Sequence, residues 1–225
     1  MTISLEIIAK RAGALRTVLG GAVFGFFMMP LGAAAEMSTL NSGDLAGLEE
    51  IEGSGYMEYY EHPDLGSFPF RTIYIEPVAN EMVARQIYDQ RFRPQHIDDL
   101  AADFHARLLT AFEGTGLLTD TPDENTLVIS TALTFVTELV QESTGSHIQG
   151  STATDRTRGS TVMEMAWRAG PDGQLVTAIR DGRAPQNWAP VGDFDDRFTD
   201  SRDTFDVWAA EFASMFGAPS TAATN

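Results

Sequence analysis

From Ile97 the apolar residues fall at Ile97, Leu100, Ala101, Phe104, Leu108, Ala111 and Phe112, the three-and-four spacing of a helix with one buried face. Asp98, Asp99 and Asp103 occupy its first turns, where the helix dipole favours anions, and Gly114 and Gly116 end it. A second helix is predicted near the carboxyl end, burying Phe205, Trp208, Phe212 and Met215 and beginning at one of the N-cap residues Thr199 to Ser201. Between and before the helices the pattern changes. Arg71 to Val78 is a β-branched and aromatic run stopped by Pro77, hence a strand. Thr126 to Gln141 alternates with period two, setting Leu127, Ile129, Leu133, Phe135 and Leu139 on one side. Thr161 to Ala169 places Met163, Met165 and Trp167 inward and Glu164 and Arg168 outward. Gly170-Pro171-Asp172-Gly173 is a turn, since Pro presets φ and Gly accepts positive φ, and Gln174 to Asp181 returns as the partner strand. The predicted order is β-α-β-β-β-α. It implies an α+β fold, a small, mainly antiparallel sheet with two helices on one face.

The amino end follows a different plan. Lys10, Arg11 and Arg16 precede an uncharged stretch from Val18 to Leu31, and Ala33-Ala34-Ala35 follows as an A-x-A site. That is the layout of a secretory signal peptide; the stretch is shorter and more glycine-rich than a membrane span. The expectation is cleavage after Ala35 and a periplasmic or secreted mature chain. The organisation expected is a signal peptide over 1–35, a flexible lead-in over 36–55, one domain over 56–216 and a disordered tail over 217–225.

Charge narrows the function classes. The 225 residues carry 15 Lys+Arg against 32 Asp+Glu, a formal charge of −17. Losing 1–35 removes three cations and one anion, carrying −17 to −19. A net anion of this size is repelled by a phosphate backbone, so nucleic acid is not an expected partner. With no cysteine, a disulfide scaffold, a thiolate metal site, a cysteine nucleophile and a cysteine-linked lipid anchor are all excluded. Lys10 is the only lysine, so a mature chain lacking 1–35 has no Schiff-base lysine.

Candidate chemistry is sparse. His62, His96, His105 and His147 lack the i, i+4 spacing of a helical metal site. The acidic run Asp193 to Asp203 fails the calcium-loop template: counted from Asp193, Arg197 stands at position 5, Phe198 at position 6 and Thr204 at position 12. Neither a nucleophile-elbow serine nor a phosphate-binding glycine loop occurs, and no cofactor is implied. Two features have binding potential. One is the polar stretch Ser143 to Gly159 between two good strands, a connection long enough to be functional. Its candidate binding residues are His147, Gln149, Asp155, Arg156 and Arg158. The other is the aromatic group Tyr56, Tyr59, Tyr60, Phe68 and Phe70, suited either to contact with sugar or protein or to covering a sheet edge.

The run Arg71 to Val78, the acidic-start helix, the long Thr/Val strand, the Gly-Pro-Asp-Gly hairpin and the closing Phe205-Asp206-Val207-Trp208-Ala209-Ala210 together resemble a bacterial envelope family catalogued as domain of unknown function 3313. The similarity spans roughly Tyr56 to Phe216. Members of that family are mostly lipoproteins with a cysteine at the mature start, where this chain has Glu36. The resemblance implies an envelope protein and carries over no catalytic residue. The expected function is a non-enzymatic periplasmic adaptor or binding module whose partner is an envelope protein or glycan. The alternative is a carboxylate-based hydrolase of cell-wall glycan or another exported substrate, requiring two Asp/Glu side chains to converge in a pocket. A minor third option is a divalent-cation buffer using 193–203.

Overall fold

A computed structural model describes residues 44–81, 94–136, 140–143, 154–157, 160–183 and 198–218. Its elements are β1 (Glu49–Glu50), β2 (Glu58–Glu61), a 3-10 turn at Leu65–Ser67, β3 (Thr72–Ile75), β4 (Ala79–Asn80), α1 (Pro94–Glu113), β5 (Thr126–Val136), β6 (Val140–Ser143), β7 (Thr154–Thr157), β8 (Thr161–Ala169), β9 (Leu175–Arg183) and α2 (Thr199–Met215). The main sheet has the order β1-β2-β9-β8-β5-β3, with β4 also paired to β5. Pairing is antiparallel from β1 through to β5 and parallel where β3 and β4 meet β5. A parallel pair cannot be closed by a tight turn; α1 supplies the crossover from β4 to β5.

Both helices lie on one face of the sheet. Phe104, Leu108 and Phe112 of α1 and Phe205, Trp208 and Phe212 of α2 join Leu127, Ile129, Met163, Met165, Trp167 and Ile179 in one core. Phe104 and Phe205 stack across the two helices with ring centroids 4.5 Å apart. The α+β architecture read from periodicity holds, with a mainly antiparallel sheet and both helices on one side. More strands make it than the predicted four.

Several local expectations are corrected. Residues 44–55, expected as lead-in, contribute β1, and Leu45 and Leu48 pack on Ala166, Leu175 and Ala178 across the second face of the sheet. The strand predicted over Thr126 to Gln141 is divided into β5 and β6. Within β5, Leu133 pairs with Met163 but Phe135 with Val162, so Thr134 is an extra residue. Such a bulge reverses the alternation beyond it. Val136 therefore joins the core in place of Phe135. Residue Glu164 does point away from the helices but is buried rather than exposed, 3.6 Å from the Arg180 Nε. The second helix is preceded by Phe198 with no side-chain cap bond, and Thr199 is its first residue. The Gly170–Gly173 turn forms as predicted: the Gly173 N–H donates to the Gly170 carbonyl at 3.3 Å, and Gly170 sits at φ 76°.

Candidate functional site

The strand directions gather many chain ends at one edge of the sheet. There β4, β5 and β9 finish and β8 begins. The start of α1 is tied to this edge by Asn80 Nδ2, which donates to Asp98 Oδ1 at 3.0 Å. The start of α2 is tied to it by the buried Thr161 hydroxyl, which donates to Ser201 Oγ at 2.9 Å. His96 and Phe198 bring the two helix starts together, ring centroids 6.4 Å apart. Because α1 begins at Pro94, three residues before the expected start, Asp98 and Asp99 fall in its second turn and its first turn holds no acid, whereas Asp200 lies in the first turn of α2.

From this edge springs a two-stranded arm. β6 and β7 form a sheet of their own, pairing Val140 with Thr157, Gln141 with Arg156, Glu142 with Asp155 and Ser143 with Thr154. Its register continues that of the main sheet. Val136 pairs with Thr161; four residues further on, Val140 pairs with Thr157, four residues back. The polar stretch predicted as a 17-residue loop thus contains a strand, and ten residues, 144–153, separate the last pair. Of the candidate binding residues, Asp155 and Arg156 stand on β7, whereas His147, Gln149 and Arg158 lie outside the described residues. Periodicity missed β7 because Thr154-Asp155-Arg156-Thr157 has no apolar residue to mark a face.

Beside the same edge, a groove of about 260 Å³ lies between β4 and α1, lined by Pro77, Val78, Asn80, Asp98, Ala101, Ala102 and His105. The His105 Nδ1 is buried there without a hydrogen-bond partner among the described residues. The other histidines of the described set serve structure: His62 Nδ1 accepts the Asp64 N–H at 3.1 Å, and its ring meets Phe68 edge-on. The aromatic group read as a possible contact surface is largely core: Tyr59 and Phe70 are buried, and Tyr56 stacks on Tyr59 and Phe212.

Among the described residues, arginines join three pairs of carboxylates. Arg183 donates from Nε to Asp181 Oδ2 at 2.6 Å and from Nη1 and Nη2 to both Glu211 oxygens at 2.9 and 2.7 Å. Burial alone lowers the Arg183 pKa, but the bonds and charges of Glu211 and Asp181 outweigh it and raise the value. Arg107 pairs with Asp103 and Asp206, joining α1 to α2, and Arg202 also reaches Asp103 at 3.1 Å. Arg180 lies between Glu58, at 3.3 Å, and Glu164. In these pairs the oxygens face guanidinium donors rather than an open pocket. The cavity beside Glu58 and Glu164 holds only about 20 Å³, the space of a single water.

Of the acidic run 193–203, residues 193–197 lie outside the described residues; Asp200 and Asp203 are on the first turns of α2. The Asp203 pKa is raised by burial and by the neighbouring Asp200 and Asp206 charges. No group of three or more metal-ligating side chains occurs among the described residues, and no described helix is long and apolar enough to cross a membrane. No family model matches the chain, and no curated protein matches it. Among solved structures it is similar to a PelC dodecamer from Paraburkholderia phytofirmans, with 11% identity over 66% of this chain and 88% of that one and a TM-score of 0.38.

Proposed function

We propose that this chain is an exported, non-enzymatic binding module of the bacterial cell envelope that engages its partner through the β6–β7 arm. The observation that carries the reading is the shared register. β5 and β8 are long, buried strands of a packed sheet, and the polar β6–β7 ladder extends their pairing as a separate two-stranded sheet. A rigid scaffold presenting a polar extension is the usual arrangement of a recognition segment. The bridging of the close carboxylate pairs by Arg183, Arg107 and Arg180 favours binding over hydrolysis. The signal-peptide pattern of residues 1–35 and the resemblance centred on Phe205 to Ala210 support the envelope as the site of action.

The test is photo-crosslinking in cells, with the reactive side chain placed in turn at Ser143 and Thr154, the last pair of the arm. A discrete protein adduct supports the reading and identifies the partner. A ladder of glycan adducts retains a binding module but changes its ligand to carbohydrate. Absence of any adduct from both positions, with adducts formed from His105 in the β4–α1 groove, overturns the assignment of the arm.

A further inference from the structure

With 9 methionines and no cysteine, this chain meets a peroxide through its thioethers, because no thiolate is present to intercept the oxidant. Met1, Met28, Met29, Met37 and Met82 lie outside the described residues. Of the others, Met163 and Met165 are buried and Met215 packs partly buried against the core, whereas Met57 is 58% exposed. Met57 stands just ahead of β2, whose first ladder pair sets Glu58 against Arg180 of β9. Its sulfur lies over Gly182 of the same strand: a Cβ built on that glycine meets Met57 Sδ at 2.9 Å and Val162 Cγ2 at 3.0 Å. The space left by the missing side chain is thus where the thioether rests, beside an apolar methyl group.

The neighbouring residues carry this contact inward. Tyr56 stacks on Tyr59 and on Phe212 of α2, and the Arg183 guanidinium lies 5.9 Å from its ring centroid. Arg183 in turn binds both Glu211 oxygens on α2. Tyr56 and Met57 therefore clasp Gly182 and Arg183, one from the core side and one from the solvent side. Met57 is the member of the clasp that an oxidant reaches.

We infer that Met57 is a site of reversible oxidation whose sulfoxide loosens this clasp. The step is a two-electron oxygen transfer. A sulfur lone pair attacks one oxygen of hydrogen peroxide, the O–O bond breaks, an S–O bond forms, and the second oxygen leaves as water. The product is a polar, chiral group in place of a flexible apolar one. Its oxygen is best solvated away from Val162, so the oxidised side chain leaves its place over Gly182. Return needs a dithiol reductant, which takes the oxygen off as water and becomes a disulfide. That dithiol belongs to a sulfoxide reductase, since this chain has no cysteine.

The experiment treats the full mature chain with hydrogen peroxide, maps the gained oxygen by peptide mass, and follows amide exchange before and after. Met57→Leu, which keeps an apolar side chain at an exposed position, is treated in parallel. The expected result is oxidation of Met57 about tenfold faster than of Met163 and Met165, and about tenfold faster exchange at Met57 to Tyr60 and at Arg183 in the oxidised chain. Two sulfoxide reductases, one for each epimer, should restore the slow exchange, and Met57→Leu should show no peroxide response at those amides. Oxidation of Met57 no faster than of Met163 overturns the site. Unchanged exchange after Met57 is oxidised overturns the clasp. An equal response in Met57→Leu places the effect on another methionine and overturns the inference, and failure of the reductases to restore slow exchange overturns its reversibility.

Discussion

Trp208, on α2, donates its indole N–H to the Asp181 carboxylate near the end of β9 at 2.7 Å, and both side chains are buried. The same Oδ2 atom accepts from Arg183, whose guanidinium lies 5.9 Å from the ring centroids of both Tyr56 and Trp208. One carboxylate therefore fixes a helix, a strand and a cation. Asp181→Ala leaves Arg183 and the Trp208 indole without that partner and is expected to cost about 3–5 kcal/mol. Trp208→Phe keeps most of the ring contact and loses only the donor, for about 1–3 kcal/mol. Urea titrations of the two variants will rank them. A loss for Asp181→Ala no larger than for Trp208→Phe is the result that contradicts this arrangement.

Tyr56 and Tyr59 set an alkaline limit. Burial raises both phenol pKa values well above the ordinary value of about 10, with Glu211 adding to the effect at Tyr56 and Glu61 at Tyr59. The sign follows from proton counting: above about pH 10 the unfolded chain has released these protons while the folded chain still holds them, so stability falls as pH rises. Below about pH 10 the contribution is constant. Circular dichroism melts from pH 8 to 11.5 are expected to show this decline, and Tyr59→Phe should make it shallower.

Two glycines of one hairpin should respond differently to alanine. A Cβ at Gly173 falls onto the Ala169 carbonyl, so the turn itself must open. At Gly170 the nearest atom to such a Cβ is the Asp123 carbonyl oxygen at 3.5 Å, an ordinary contact, and only the positive φ of 76° is penalised. Gly170→Ala is expected to cost about 1–2 kcal/mol, and Gly173→Ala distinctly more. Thermal melts of both variants decide the order.

Excising residues 137–160 and joining Val136 to Thr161 through Asn-Gly should leave the domain folded, because those two residues already face each other across the ladder. The expected midpoint change is about 4 °C or less, with loss of any partner crosslink. Unfolding of this variant would show that the arm belongs to the core.

The sequence is most legible where one residue face is continuously apolar. Ile97 to Phe112 and Phe205 to Met215 announce their helices, and the Gly-Pro-Asp-Gly turn announces the β8–β9 hairpin. It is least legible where tertiary pairing makes the element. β2 is Glu58-Tyr59-Tyr60-Glu61, four residues too few and too polar to show a period, and only its ladder with β9 makes it a strand. The extra residue at Thr134 has no local signature; it is visible only because Met163 and Val162 are neighbours opposite residues two apart. The arm was legible as a polar stretch and illegible as a ribbon for the same reason as β2. Parallel placement of β3 beside β5 depends on α1 crossing over, which no pattern within either strand records.

The common register of the two ladders also has a mechanical meaning. In chain order β5 precedes the arm and β8 follows it. Tension applied along the axes of β5 and β8 at Val136 and Thr161 passes sideways into the ladders that hold β5 to β3 and β8 to β9. Those hydrogen bonds lie across the direction of pull, so they must all slide at once instead of breaking singly in succession. A tug on the arm is thus borne by the whole sheet, and a partner could haul on this protein without unzipping it.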